Sequence, residues 1–133
     1  MRGNITFVTN IIIAGSRDID QTYEKYVFLL LDTIFEKLAL SSPPVIFSGK
    51  AKGMDSLGEA YAKFNNWEIR HFPADWNTLG KKAGPVRNQQ MIDARADILI
   101  CFYFEDSKGS KDMITRAAAN KIKVISHMFK RNP

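Results

Sequence analysis

The run from Phe72 to Met91, FPADWNTLGKKAGPVRNQQM, combines aromatic, glycine and basic residues just where a helix is expected to begin. Glycine lets backbone N–H groups approach a phosphate closely, and a helix N-terminus adds unpaired donors and a favourable dipole. The run therefore indicates a site for a phosphate-bearing ligand. Its candidate ligand-binding residues are Trp76, Lys81, Gly84, Arg87 and Asn88.

Three further glycine-containing segments each follow a strand-like apolar run. They are Gly15-Ser16-Arg17-Asp18, SGKAKGMD from Ser48 to Asp55, and Lys108-Gly109-Ser110. We expect these loops to hold phosphate, with the glycines alternatively serving only as tight strand-to-helix turns and Ser110 only as a helix cap. The candidate ligand-binding residues here are Gly15, Ser16, Arg17, Ser48, Gly49, Gly53, Asp55, Gly109 and Ser110.

The side chains of three of these candidates suggest different roles. Arginine offers a fork of donors that suits phosphate or carboxylate, and a cation at a helix start opposes the dipole, so Arg87 is expected to pair with a ligand or a carboxylate. Asp55 can accept from ribose hydroxyls or simply stabilise the first turn of its helix. Trp76 can stack on a base or pin its loop to the protein. Arg87 and Asp55 are also the candidate catalytic residues.

Other site chemistries find little support in the sequence. His71 and His127 are far apart and Cys101 is the only cysteine, so we expect neither a metal site nor a bound cofactor. Neither GxxxxGK[ST] nor GxGxxG occurs, which argues against classical nucleoside-triphosphate hydrolysis and dinucleotide redox chemistry.

The elements that must position these residues alternate between strands and helices. Five runs rich in Val, Ile and Phe predict strands at Thr6 to Ala14, Val45 to Phe47, Trp67 to Phe72, Asp97 to Phe104 and Lys123 to Met128. Helical spacing covers Tyr23 to Leu38, Met54 to Phe64, Pro85 or Val86 to about Arg95, and Ser110 to Asn120. The strands are nearly continuously apolar, which predicts burial on both faces.

This alternation predicts an α/β fold, a Rossmann-like three-layer domain with a mainly parallel five-stranded sheet, spanning residues 1–133 as one domain. We expect the strand order 3-2-1-4-5. The chain then reverses between strands one and four, and ligands of such sheets collect in the crevice beyond the strand C-termini at that reversal. The glycine loops should therefore converge in space.

Composition sets broader limits on partners and location. The 133 residues are 45% apolar with a formal net charge of +5, which suits one globular domain and favours an anionic partner. No apolar segment is long enough to cross a bilayer, and the N-terminus lacks a signal-like pattern. We therefore expect a soluble, cytoplasmic protein without a membrane partner.

Taken together, the motifs resemble the SLOG superfamily, most closely its YspA-related branch. The shared pattern covers nearly the whole chain: GSR from Gly15 to Arg17, SGxAxGxD from Ser48 to Asp55, FPADWxxxGKxAGPxRNxxM from Phe72 to Met91, and G[TS] at Gly109 and Ser110. The resemblance implies a Rossmann-like domain that binds a nucleotide or nucleotide-derived small molecule, for sensing, sequestration or delivery.

The resemblance also implies two alternative functions. Related LOG enzymes are phosphoribohydrolases that use an arginine and a glutamate; Arg87 matches the arginine, but Met113 stands where the glutamate is expected. Asp112 is one residue away, but one step along a helix turns a side chain by about 100 degrees, so Asp55 or Asp75 would have to replace the glutamate. DprA, another member, binds single-stranded DNA, so nucleic acid is a third expected partner. Related enzymes pair their subunits beside the site, which implies a homodimer.

Overall fold

The computed structural model of the protein describes residues 8–131. Within them, the strands β1 (Asn10–Gly15), β2 (Val45–Ser48), β3 (Glu68–His71), β4 (Ile98–Phe104) and β5 (Lys123–Phe129) form one sheet. Every pairing is parallel and the order is β3-β2-β1-β4-β5. The predicted α/β fold and strand order are confirmed. The predicted first strand began at Thr6, and its residues 6 and 7 lie outside the described residues.

The helices agree with the prediction least well near the glycine-rich run. They are α1 (Glu24–Leu38), α2 (Met54–Phe64), α3 (Trp76–Leu79), α4 (Ala83–Asp93) and α5 (Lys108–Ala119), with single 3₁₀ turns at Gln21–Tyr23 and Gly80–Lys82. The sequence pattern missed α3, which is only one turn long and is capped by the Asp75 side chain accepting from the Thr78 N–H at 3.2 Å.

The starts of α4 and α5 also differ from the prediction. Helix α4 begins at Ala83, two residues before Pro85. The helix can include this proline because residues of the first turn have no intrahelical partner for their N–H groups, so the N–H that proline lacks is not needed there. Helix α5 begins at Lys108 and its cap is Ser107, whose hydroxyl accepts from the Ser110 N–H at 3.4 Å. Ser110 therefore lies inside the first turn and does not cap the helix.

The alternation of side chains along the strands creates three layers. Ile11 and Ile13 of β1 pack with buried residues of α1 and α2, among them Leu31 and Leu57. Ile12, between them, packs on the opposite face with buried residues of α4 and α5. The central strands β1, β2 and β4 are buried on both faces as predicted. The expectation was wrong for β3 and β5, which are edge strands with largely exposed side chains.

This architecture brings the glycine-containing loops to one edge of the sheet. The ends of β1 and β4 lie side by side, with Gly15 opposite Phe102, and the end of β2 lies beside that of β3, with Ser48 opposite His71. Because all strands are parallel, the loops that follow them emerge at the same edge. In the described part of the chain, no helix has the length and apolar character needed to span a membrane.

Candidate functional site

A cavity of about 560 Å³ lies at the carboxyl ends of β1 and β4. Its walls come from the loops after these strands and from the N-terminal parts of α2, α4 and α5. The predicted site residues that line it are Gly15, Arg17, Asp55, Trp76, Lys81, Gly84, Arg87, Asn88, Gly109 and Ser110. The structure thus brings together residues from all four glycine-containing segments.

Asn88 joins the N-terminal half of α4 to that of α5. Its side-chain oxygen accepts from Arg87 Nε at 3.0 Å, and its amide donates to Asp112 at 2.9 Å. Asp112 also accepts from Arg116 at 2.9 Å, so its carboxylate is already engaged by two donors. The N-terminal ends of α4 and α5 therefore lie beside the same cavity, where the dipoles of both helices favour an anion. The start of α5 also offers N–H donors, whereas the 3₁₀ turn Gly80–Lys82 runs directly into α4 and its Gly80 carbonyl accepts from the Ala83 N–H.

Arg87 crosses from α4 to the loop after β2. Its NH1 group donates to the carbonyl of Gly49, while Nε binds Asn88. Burial lowers the pKa of Arg87, and Arg17 acts in the same direction, whereas Asp55 opposes the shift. Because α4 begins at Ala83, Arg87 is the fifth residue of the helix and lies beyond its first turn. Its hydrogen-bond partners within the protein are a backbone carbonyl and the Asn88 side chain, not the expected carboxylate.

Asp55 is a buried carboxyl group that reaches the cavity. Only 4% of the residue is exposed, and one carboxylate oxygen accepts from the Ala51 N–H at 3.2 Å. Burial raises the pKa of Asp55 to about 6, with Arg87 and the Ala51 N–H opposing the shift and Glu59 adding to it. The cavity therefore contains a carboxyl that changes protonation state close to neutral pH, beside a guanidinium.

Besides Arg87, three cationic side chains of the described residues at the cavity lack an ion pair. Among the described residues, no carboxylate lies within salt-bridge distance of Arg17, Lys81 or Lys108. Arg17 stacks over the ring of Trp76 at 5.1 Å, and Trp76 is half-exposed and lies against Gly84. The cavity thus presents unpaired positive charge next to an accessible aromatic ring.

The predicted residues Ser16 and Ser48 do not line the cavity. The Ser16 hydroxyl accepts from the Phe104 N–H at 2.9 Å. The Ser48 hydroxyl donates to Glu59 at 2.6 Å and accepts from the Lys50 N–H at 3.1 Å. Both serines are buried and hold the loops from behind.

The predicted residues Gly49 and Gly53 also lie behind the cavity wall. A Cβ on Gly49 would collide with the Arg87 guanidinium and lie 2.8 Å from a carboxylate oxygen of Asp55. Gly53 has φ +75°, and a Cβ there would meet the backbone of Arg17 and lie 2.5 Å from the Ser16 carbonyl oxygen. These glycines make room for other parts of the protein.

Sequence reasoning missed several residues of the cavity. Ser107 and Lys108 directly precede the predicted Gly109, so the start of α5 could have been extended by two residues. No sequence signal indicates Asp106 and Arg131, because the residues after β4 and after β5 come together only when these two strands pair in the sheet. Arg131 binds Asp18 at 2.6 Å and Asp106 at 2.8 Å at the edge of the cavity.

The carboxylates considered as replacements for a catalytic glutamate have different surroundings. Met113 is only 1% exposed and belongs to the core beneath α5. Asp112 binds Asn88 and Arg116, and Asp75 caps α3. Asp55 is the one of the three aspartates that lines the cavity. Residues 8–131 contain no cluster of three or more His, Cys, Asp or Glu side chains that could hold a metal ion.

This chain is similar to one family model, to a phage protein and to a solved structure. The model of the YspA, cpYpsA-related SLOG family matches residues 9–78, from the start of β1 into α3. The Gene 61 protein of Mycobacterium phage D29 is 32% identical over 91 residues, which cover 62% of this chain and 70% of that protein. DNA processing protein A (DprA) from Streptococcus pneumoniae shares the fold, with a TM-score of 0.64 and 19% identity. The match covers 90% of this chain and 50% of DprA, so this chain spans half the length of that structure.

Proposed function

This chain belongs to the YspA, cpYpsA-related SLOG family, and on that premise we propose that its cavity binds a nucleotide or a nucleotide-derived small molecule. The ligand would enter at the carboxyl edge of the sheet, where open α/β sheets bind ligands at the reversal of strand order. The role of such a domain would be to sense, sequester or deliver that ligand.

The observation that carries this proposal is a set of cations without carboxylate partners in the described chain, around one cavity and beside the N-terminus of α5. Arg17, Lys81 and Lys108 have no carboxylate partner among the described residues, and the first turns of α4 and α5 open onto the same cavity. Unpaired backbone donors, aligned dipoles and free cations together favour a phosphate. Lys108 lies in the first turn of α5, so we expect it to contribute directly to phosphate affinity.

Other residues of the cavity suit the base and the ribose of a nucleotide. Trp76 offers an exposed ring on which a base can stack, although Arg17 already occupies one contact to that ring. Asp55 offers an oxygen that can accept from a ribose hydroxyl. The cavity volume of about 560 Å³ lies within the usual range of small-molecule sites.

A thermal-shift screen tests the proposal. The purified protein is melted with 5′-mononucleotides, dinucleotides, cyclic nucleotides, nucleosides and short oligonucleotides at low and moderate salt. A ligand that binds the folded state raises the melting temperature by mass action, and we expect a salt-tolerant rise with one nucleotide class. Lys108→Ala should reduce this rise, whereas Lys37→Ala, which removes the same charge from the distant α1, should not.

Two results would contradict the proposal. If no nucleotide raises the melting temperature at either salt concentration, the cavity does not serve nucleotides. If only oligonucleotides do so, and only at low salt, the protein binds nucleic acid through its backbone phosphates, because that kind of binding weakens steeply with salt.

A hydrolase is the second candidate, and Asp55 is the observation that favours it. Cleavage of an N-glycosidic bond by water releases the free base and leaves a hydroxyl on the sugar, through a cationic sugar that a nearby carboxylate stabilises. Asp55, whose raised pKa of about 6 leaves it largely ionised at pH 7, lies beside Arg87 in the cavity. Incubation with nucleoside monophosphates should then release base detectable by chromatography, and Asp55→Asn should abolish the release. No release from any common base would remove this candidate.

A further inference from the structure

Arg131 connects two loops at the edge of the cavity. It follows β5, and its guanidinium binds Asp18, in the loop after β1, and Asp106, in the loop after β4. Asp106 accepts from both NH2, at 2.8 Å, and Nε, at 3.3 Å, and the guanidinium lies 4.1 Å from the ring centre of Phe104. One side chain is thus fixed by two carboxylates and an aromatic face.

We propose that Arg131 is a specificity-determining residue, which makes the cavity accept phosphate-bearing ligands by neutralising Asp18 and Asp106. This inference rests on the proposed nucleotide-binding function and adds the element that selects for the phosphate. Without Arg131, two uncompensated carboxylates would line the same cavity as the ligand phosphate and repel it.

The geometry favours charge compensation over direct contact with the ligand. A guanidinium has five N–H donors, and three of those of Arg131 already bind carboxylate oxygens. The cations without a carboxylate partner in the described chain, Arg17 and Lys108 among them, line the same cavity. If Arg131 were removed, Asp18 and Asp106 could instead pair with these cations and withdraw them from the phosphate.

If Arg131 only stabilised the fold, its removal would change the stability of the protein and leave its preference for phosphate unchanged. All three side chains of the cluster are about half-exposed or more, and ion pairs at such positions contribute little to folding. We therefore expect Arg131→Ala to fold normally, which allows its effect on ligand selection to be measured separately. If that variant does not fold, Arg131→Gln, which retains a polar side chain without the charge, replaces it.

The test compares each 5′-monophosphate of adenosine, guanosine, cytidine and uridine with its own nucleoside, by calorimetry or thermal shift. The preference of the wild-type protein for the phosphate form should fall roughly tenfold in Arg131→Ala and be retained largely in Arg131→Lys. Lys130→Ala, which removes a neighbouring exposed charge outside the cavity, serves as the control and should keep the preference. The triple variant Arg131→Ala with Asp18→Asn and Asp106→Asn should recover it, because the carboxylates that needed neutralising are gone.

Each other result has a definite meaning. An unchanged preference in Arg131→Ala would overturn the role of Arg131 while leaving the proposed function intact. A loss in Arg131→Ala that the triple variant does not recover would overturn neutralisation and indicate that Arg131 contacts the phosphate itself. If the wild-type protein binds none of the eight compounds, this inference is overturned, whereas the proposed function is overturned only when the full nucleotide screen is also negative.

Discussion

The segment that leads into α2 (residues 48–53, the α2 loop) and the segment that leads into α5 (residues 107–109, the α5 loop) have opposite surroundings. Each follows a buried strand and contains a serine and a glycine, Ser48 and Gly53 in the first and Ser107 and Gly109 in the second. At Gly53, an added Cβ would meet the backbone of the loop after β1, whereas at Gly109 it would meet no atom within 4 Å. The missing side chain makes room for the protein itself in the first loop and leaves open space at the cavity in the second.

This difference shows what a glycine motif can and cannot indicate. Glycine marks a place where something approaches the backbone closely, but the sequence does not say whether that partner is protein or ligand. In the α2 loop the partners are protein atoms: Ser48 binds Glu59, and Gly49 lies against Arg87. In the α5 loop the first turn faces the cavity, with Gly109 and Ser110 in its lining.

The strongest test of this contrast is to add one methyl group to each loop. Gly53 has φ +75°, so Gly53→Ala combines a left-handed backbone strain with collisions against backbone atoms that cannot move easily. We expect it to lower the free energy of unfolding by about 4 kcal/mol. Gly109→Ala should change it by less than about 1 kcal/mol, in the stabilising direction, because alanine favours a helix over glycine.

Urea denaturation of both variants at the same pH measures these changes. A loss at Gly53→Ala no larger than the change at Gly109→Ala would show that the α2 loop can move away, and that its glycines are not required by packing.

Asp55 connects α2 with the cavity, and its pKa gives the second test. The residue lies in the first turn of α2, yet its carboxylate lines the cavity. Its folded-state pKa of about 6, against an ordinary 3.8, means that the folded protein holds this proton more tightly than the unfolded chain does. Stability should therefore fall as pH rises from about 4 to about 6, by as much as about 3 kcal/mol from this group.

Asp55→Asn removes this titration. We expect it to raise the free energy of unfolding at pH 7 by as much as about 3 kcal/mol, because the raised pKa already includes the attraction of the ionised carboxylate to Arg87. Unfolding free energies of both proteins across pH 4 to 7 give the comparison, and other titrating groups cancel in the difference. A difference that stays constant over this range would contradict the raised pKa.

The fold could be predicted from the sequence because the strands carry strong local signals. Near-continuous apolar runs such as Ile98–Phe104 and helical spacing over Met54–Phe64 identify their elements directly, and the alternation then limits the topology. The short helix Trp76–Leu79 could not be predicted in this way, since one turn is too short for a periodic pattern.

The candidate site was predicted only in part, for a related reason. Residues in the N-terminal halves of α4 and α5, such as Arg87 and Gly109, belong to motifs and line the cavity. Ser16 and Ser48 have the same local sequence signal, but the partners that hold them are Phe104 and Glu59, from other elements. The environment of a loop depends on neighbours that are distant in sequence, and these come together only in the folded sheet.

The smallest expected change in stability, with the sharpest expected change in binding, comes from Gly109→Leu. Its Cβ would stand in open space, so the folded protein should accommodate the larger side chain with a stability change below about 0.5 kcal/mol. The leucine should nevertheless occupy the cavity in front of the α5 first turn and abolish the melting-temperature rise given by the best nucleotide of the screen. Gly109→Ala, which adds only one methyl group, should retain most of that rise. If Gly109→Leu binds nucleotide as well as the wild-type protein does, then the α5 loop is not the open side of a nucleotide site, and the contrast with the α2 loop has no functional meaning.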